Sequence, residues 1–203
     1  VLMHLDVANG RRRLGGSALA QVHGQLGNEA PDVDSAARLA AYFALVQQLH
    51  AVGVLHAYHD IGDGGVFATL AEMAFASRCG LEIDLAPSAT TALAALFAEE
   101  LGAIVQVGVA DADHVVRAAR EAGIDATVIG RPVVGGRLRI RHGDAVVLDE
   151  SRIDLNVAWS ATTHAMQRIR DNPQAADQEY ARLRDDADPG LAPKLTFAVD
   201  ALD

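Results

Sequence analysis

Cysteine is nearly absent: Cys79 is the only one in 203 residues. That excludes an internal disulfide, a cysteine-built zinc site and a CxxC redox pair. A lone thiol suits a reducing cytosol, so a cytoplasmic protein is expected. Lysine is equally scarce. Lys194 stands alone, so no glycine-rich loop is followed by the lysine that a GxxxxGK[ST] phosphate loop requires. Aromatic residues reach only 4%, and the 50% hydrophobic share rests largely on alanine and aliphatic side chains. No run approaches the ~18 apolar residues of a membrane span, so no membrane partner is expected. Basic residues are outnumbered, 17 against 27 acidic, for a net charge of −10. A nucleic-acid partner is therefore not expected, because phosphate backbones attract basic surfaces. A nucleotide is still compatible, since magnesium bridges carboxylates to phosphates. The opening Val1-Leu2-Met3-His4-Leu5-Asp6 has neither the basic nor the apolar region of a signal peptide. It starts inside an apparent strand without an initiator methionine, and reads as part of a longer protein.

What is present is α/β alternation. Val1–Asp6 predicts a strand, Ser17 caps a helix running to about Leu26, and Gly27-Asn28 stops it. A second helix from Ser35 carries Leu39, Tyr42, Phe43, Val46 and Leu49 at helical spacing and ends at Gly53. Strands follow at Leu55–His59, Leu81–Leu85, Ala103–Val109 and Ala126–Ile129, and a hairpin at Arg137–His142 and Ala145–Leu148. Helices are expected after Gly65, over Ala89–Ala98 and over Asp111–Ala122, the last closed by Gly123. This alternation predicts a three-layer fold with a mixed sheet. After Asp149 the character changes. Ser151–Arg170 and Ala175–Asp186 read as polar helices broken at Asn172-Pro173, with a thin apolar stripe, and Leu191–Asp203 as an extended tail. The expected division is an α/β domain over residues 1–150 and a helical linker with its tail over 151–203.

Chemistry concentrates at His59-Asp60-Ile61-Gly62-Asp63-Gly64-Gly65, where a strand gives way to a helix. Such a turn presents free amides with a positive helix end behind them, and glycine lets a ligand approach the backbone. Asp60 supplies a hard oxygen of the kind Mg2+ takes. A plainer account makes Asp63 the helix cap and the glycines mere turn formers. Leu14-Gly15-Gly16-Ser17 is a second glycine loop entering a helix, readable as a binding loop or as a tight turn with its cap. Glu99-Glu100 is a carboxylate pair for a metal or a shared proton, or two solvated side chains pointing apart. His56 and His59 fall on opposite faces of a strand, which argues against joint ligation. Arg11-Arg12-Arg13 pairs with a partner's acids or phosphate, or is a solvated run. Cys79 reads as packing, and the acids Asp185, Asp186 and Asp188 as a solvated linker without calcium-loop spacing.

Several strings together resemble one family. They are Leu14-Gly15-Gly16-Ser17-Ala18-Leu19-Ala20-Gln21, Ala57 through Gly65, Thr69-Leu70-Ala71-Glu72-Met73-Ala74-Phe75-Ala76, and Glu99-Glu100-Leu101-Gly102-Ala103. Further on stand Met166-Gln167-Arg168-Ile169-Arg170-Asp171-Asn172-Pro173 and Ala187-Asp188-Pro189-Gly190-Leu191. In this order they resemble the large, single-chain phosphoribosylformylglycinamidine synthases of bacterial purine biosynthesis, over nearly the whole chain. The His-Asp…Asp-Gly-Gly string alone is shared with the wider aminoimidazole ribonucleotide synthetase-like superfamily; the last two strings single out the large synthases.

The resemblance implies the second synthetase-like C-terminal α/β domain, followed by the linker to a glutaminase domain. Its missing partners are then an N-terminal synthetase-like half and the glutaminase of the same chain. The whole enzyme uses ATP to activate the formyl amide oxygen of formylglycinamide ribonucleotide. Ammonia from glutamine then displaces phosphate to give the amidine. The resemblance also implies an auxiliary ATP or ADP with Mg2+. Asp60 occupies the position of a metal ligand, and Gly62 that of a nucleotide contact that is usually serine. Only a backbone contact remains at Gly62. The family's other ligands to this metal fall upstream of residue 1, so the piece alone is expected to hold little metal and to be inactive. No catalytic residue is expected here: the glutaminase nucleophile is a cysteine in another domain, which Cys79 does not match. Alternatives are a docking module without ligand, or part of another superfamily member. A homodimer through an exposed sheet face or edge is also compatible.

Overall fold

A computed structural model describes residues 1–27, 29–85, 90–190 and 194–196. Its strands are β1 (Leu2–Asp6), β2 (Leu55–Asp60), β3 (Gly80–Leu85), β4 (Gly102–Val107), β5 (Asp125–Val133), β6 (Arg137–His142) and β7 (Ala145–Ser151). The helices are α1 (Ala18–Val22), α2 (Ala36–Ala51), α3 (Gly65–Ser77), α4 (Ala92–Phe97), α5 (Ala112–Glu121), α6 (Arg152–Arg170) and α7 (Pro173–Arg182). The strands form one sheet in the order β2-β4-β1-β5-β3-β6-β7. Every neighbouring pair is antiparallel except β3 with β6, so the sheet is mixed, as expected.

Alternation along the strands explains why helices cover both faces. Ala103, Val105 and Val107 of β4 face one way, with Met3 and Leu5 of β1, and bury against Tyr42, Leu45 and Leu49 of α2 and Val115 and Ala119 of α5. Ile104 faces the other way. There it joins Leu2, Leu81, Ile83, Ile129, Leu138 and Ile140 beneath Val66, Leu70, Ala71 and Ala74 of α3 and Leu96 of α4. These two helix layers on one sheet are the three layers expected. In β6, Leu138 and Ile140 are fully buried while Arg137, Arg139 and Arg141 are exposed, which is the period of two read from the sequence.

Several boundaries differ from expectation. The first helix stops at Val22 and does not reach Leu26; Gly24, at φ 64°, turns the chain away. On α2, Leu45 takes the core position expected of Phe43, which is 65% exposed. Tyr42, Leu45 and Leu49 share a stripe at three- and four-residue spacing, and Phe43 lies 100° around from Tyr42. The fourth strand ends at Val107. Gly108 starts a short 3-10 turn that leaves Val109 exposed. The fifth strand continues to Val133 through Pro132, which pairs with Leu81 of β3 after β1 has ended on the other side. Proline is tolerated there because no strand needs its missing N–H. The helix expected over Ala89–Ala98 spans Ala92–Phe97, capped by Thr91, with Ala89 outside the described residues. The extended tail expected over Leu191–Asp203 lies mostly outside them too.

The chain divides into two compact units, Val1–Leu155 and Asn156–Asp203. In the second, the Tyr180 ring stacks on His164 with centroids 4.1 Å apart, and Tyr180 Oη donates to the Val157 carbonyl at 2.9 Å. Asn172 caps α7 by accepting from the Gln174 and Ala175 amides, with Pro173 in the first turn. Met166 and Ile169, the apolar stripe of α6, remain exposed. Among the described residues no helix is long and apolar enough to cross a membrane.

Candidate functional site

Sheet register gathers the glycine turns at one end. Asp6, at the end of β1, lies opposite Gly102 at the start of β4, and Asp60, at the end of β2, lies opposite Ala103. Past the strands, Ile61 N–H donates to the Gly102 carbonyl at 2.9 Å, and Val7 N–H to the Leu101 carbonyl at 3.1 Å. The loops after β1, after β2 and before β4 therefore meet.

Asp60 stands at the mouth. Its side chain is 76% exposed, and His59 Nδ1 lies 3.9 Å from Oδ1. The His59 ring is held elsewhere, with Nδ1 2.7 Å from the Asp60 carbonyl and Nε2 2.7 Å from Glu72 of α3. Facing solvent, and without a hydrogen-bond donor among the described residues, the Asp60 carboxylate fits a hard cation as a single oxygen ligand. Among the described residues no group of three or more His, Cys, Asp and Glu could hold a metal ion. Gly62 has a φ that any residue adopts, and open space where a Cβ would sit.

The remaining glycines are there by necessity. Gly64 and Gly65 both have positive φ, 82° and 65°. A Cβ on Gly65 would meet the carbonyl oxygens of Leu96 and Ala98 at 2.7 and 2.8 Å. The helix α3 begins tight against the end of α4 for that reason. Asp63, expected under the plainer account to cap this helix, does not: Gly64 is the cap residue, and no side chain caps it. Its left-handed backbone carries the chain into the helix instead.

The amides expected to be free are partly taken. Gly64 N–H donates to Glu99 Oε1 at 2.8 Å, and the same oxygen accepts from Ala18 N–H, also at 2.8 Å. Ala18 opens α1 just after the Gly15-Gly16 turn. Ser17 caps that helix as expected, accepting from Ala20 N–H. The neighbouring Glu100 is 4% exposed and accepts three hydrogen bonds from Arg13, through its backbone N–H, Nε and Nη2, at 2.7–2.8 Å. Arg13 also reaches Asp34 at 2.9 Å. Hydrogen bonding to Glu100, then to Asp34, holds the Arg13 pKa above its ordinary value. Neither glutamate is a solvated residue, and neither belongs to a metal cluster; each holds a loop. The arginine run is likewise internal, with Arg12 on Asp6 at 2.9 Å and Arg11 on Asp34 at 3.0 Å. Sequence reasoning missed this use of the glutamates. No local signal marks it, because the glutamates lie 81 and 87 residues from the Ala18 and Arg13 amides they hold.

His4 and Asp6 line the floor of this end. Burial pushes the His4 ring down to about 4, against the opposing pull of Asp6. Burial pushes Asp6 up, but the hydrogen bond and charge of Arg12, with His4 and the Gly10 amide, hold it below the usual carboxylate range. His56 and His59 are not brought together, since His59 turns to Glu72. Cys79 is half-buried against the α3 core, with Sγ 3.0 Å from Ser77 Oγ.

Residues 1–143 match the family described as AIR synthase related protein, C-terminal domain. The chain belongs to that family. Among solved structures, Thermotoga maritima PurL complexed with ATP superposes with a TM-score of 0.61 at 14% identity, over 76% of this chain and 25% of that one. The same protein complexed with FGAR gives 0.59 at 15%, over 76% and 27%. The T. maritima phosphoribosylformylglycinamidine synthase II structure gives 0.58 at 15%, over 76% and 25%. At these identities the likeness establishes the fold. The chain spans about a quarter of the length of these T. maritima structures. In this domain the Asp60 turn lies at the end of β2, beside the start of β4.

Proposed function

We propose that this chain is the second synthetase-like C-terminal domain, with the linker that follows it, of a large single-chain phosphoribosylformylglycinamidine synthase. The whole protein would convert formylglycinamide ribonucleotide, glutamine and ATP to the amidine as an ATP-dependent C–N ligase. This chain's share is structural: Asp60 gives one oxygen to a Mg2+ carrying an auxiliary ATP or ADP, and Gly62 offers its backbone. The magnesium, when bound, neutralises phosphate charge and fixes the nucleotide in place. The synthetase-like N-terminal half would supply the remaining ligands, and a glutaminase domain the ammonia.

The observation that carries this reading is the Asp60 carboxylate, exposed at the mouth of a glycine turn and without a hydrogen-bond donor among the described residues. The family match and the PurL folds support it, as do the two strings near residues 166–191 that resemble the large synthases.

The test belongs in the full-length protein. Asp60→Ala should abolish co-purifying nucleotide and lower the melting temperature, while Asp63→Ala changes neither. Nucleotide content unchanged in Asp60→Ala would defeat the assignment. Gly62→Ser should tighten Mg-ADP binding severalfold, because the backbone accepts serine and its hydroxyl enters open space. The isolated chain should bind Mg-ADP more weakly than micromolar in calorimetry, since one carboxylate is far from the six or so oxygens a hard cation takes.

A further inference from the structure

Two glycine-rich turns, far apart in sequence, are pinned by one oxygen atom: Glu99 Oε1 accepts from Gly64 N–H and from Ala18 N–H, each at 2.8 Å. Among the described residues Glu99 has no cationic partner; Arg13 is committed to Glu100 and Asp34. The charge of Glu99 is met by amide dipoles, with the positive end of the 13-residue α3 behind Gly64. A phosphate oxygen in an amide-lined turn would accept in the same manner.

We propose that Glu99 is a positioning residue, a built-in anion that fills the amide-lined gap between the two turns and locks them together beside Asp60. Its neighbour completes the hold. Glu100 fixes Arg13, two residues before Gly15, while Glu99 fixes Ala18, two residues after Gly16. The dipeptide thus grips the Gly15-Gly16 turn on both sides. With the Gly64 amide spent on Glu99, a phosphate at this mouth is held through a cation on Asp60 and not by that amide. This last step rests on the nucleotide reading above; the locking of the two turns rests on geometry alone.

Hydrogen–deuterium exchange in the full-length protein tests the lock, and Mg-ADP calorimetry its consequence. Glu99→Ala should speed exchange at least tenfold in both segments, 61–66 and 16–20, and weaken Mg-ADP at least tenfold. Glu99→Gln, which keeps the accepting oxygen, should restore protection and bring affinity within threefold of the parent. Asp60→Ala should lose Mg-ADP with exchange in both segments unchanged. Should the alanine variant unfold, Glu99→Asp replaces it; one methylene shorter, it should release at least one of the two amides. Protection kept in both segments by Glu99→Ala, or by Glu99→Asp in its place, overturns the lock. So does failure of Glu99→Gln to restore protection. If the parent itself binds no Mg-ADP, the nucleotide reading falls, and the exchange data still decide whether the turns are locked.

Discussion

At the scale of single residues, the site end is held by groups whose environments leave little freedom. Gly65→Ala combines a positive φ with carbonyl oxygens 2.7 and 2.8 Å from the new carbon. It should cost at least about 2 kcal/mol in chemical denaturation. Arg13→Met leaves the Glu100 charge buried without its guanidinium and should cost about 3–5 kcal/mol. Arg131→Met, which breaks an exposed pair with Glu82, should cost no more than about 1 kcal/mol. The sign for His4 follows from linkage. Its folded pKa of about 4 lies below the ordinary value of 6.5, so between those values the unfolded chain binds the extra proton. The His4 contribution should be complete above pH 6.5 and be lost as pH drops toward 4, by up to about 3 kcal/mol. His4→Gln should flatten that slope in urea titrations from pH 7 to 4; an unchanged slope would assign it to other groups. Asp6, held low, adds its own loss at still lower pH. Asp60 and Gly62 were legible as candidates because a strand-to-helix glycine turn has a recognisable spelling. The Glu99 and Glu100 partners were not, since 81 and 87 residues separate them from Ala18 and Arg13.

At the scale of elements, period and packing decide. Ile140→Ala removes a fully buried side chain of β6 from the core cluster that α3 also joins and should cost about 2–5 kcal/mol. Phe43→Ser on α2 should stay within about 0.5 kcal/mol of the parent, the phenyl ring being 65% exposed. Leu45→Ala, on the buried stripe of the same helix, should cost about 2–5 kcal/mol, and comparing it with Phe43→Ser by denaturation distinguishes the helix stripe seen in the structure from the one read in the sequence. Strands and helices were legible wherever alternation or capping was strong, as in β6, and in α2 behind Ser35. Phe43 misled because hydrophobicity marks a stripe's width, whereas burial selects its centre. Pro132 hid the end of β5, because whether a proline is tolerated depends on which neighbour has already ended, a tertiary fact.

At the scale of the molecule, the three-layer α/β class followed from alternation, but the strand order did not. Local periodicity says which face of a strand is apolar, not which strands lie beside it. The observed order puts the first strand in the interior of the sheet, between β4 and β5. Its register partners are Gly102–Gln106 on one side and residues from Asp125 onward on the other. A ribosome must therefore deliver most of the first unit before β1 has either neighbour. Until then both its hydrogen-bonding edges are open, and Met3 and Leu5 have nowhere to bury. Assembly of this sheet is a late, concerted event, slowed by the closure of long loops. A nascent chain stopped at residue 100 should be digested by protease, and one that includes β5 and the β6–β7 hairpin should resist. Within this unit the first strand thus waits for two neighbours that come more than ninety residues later.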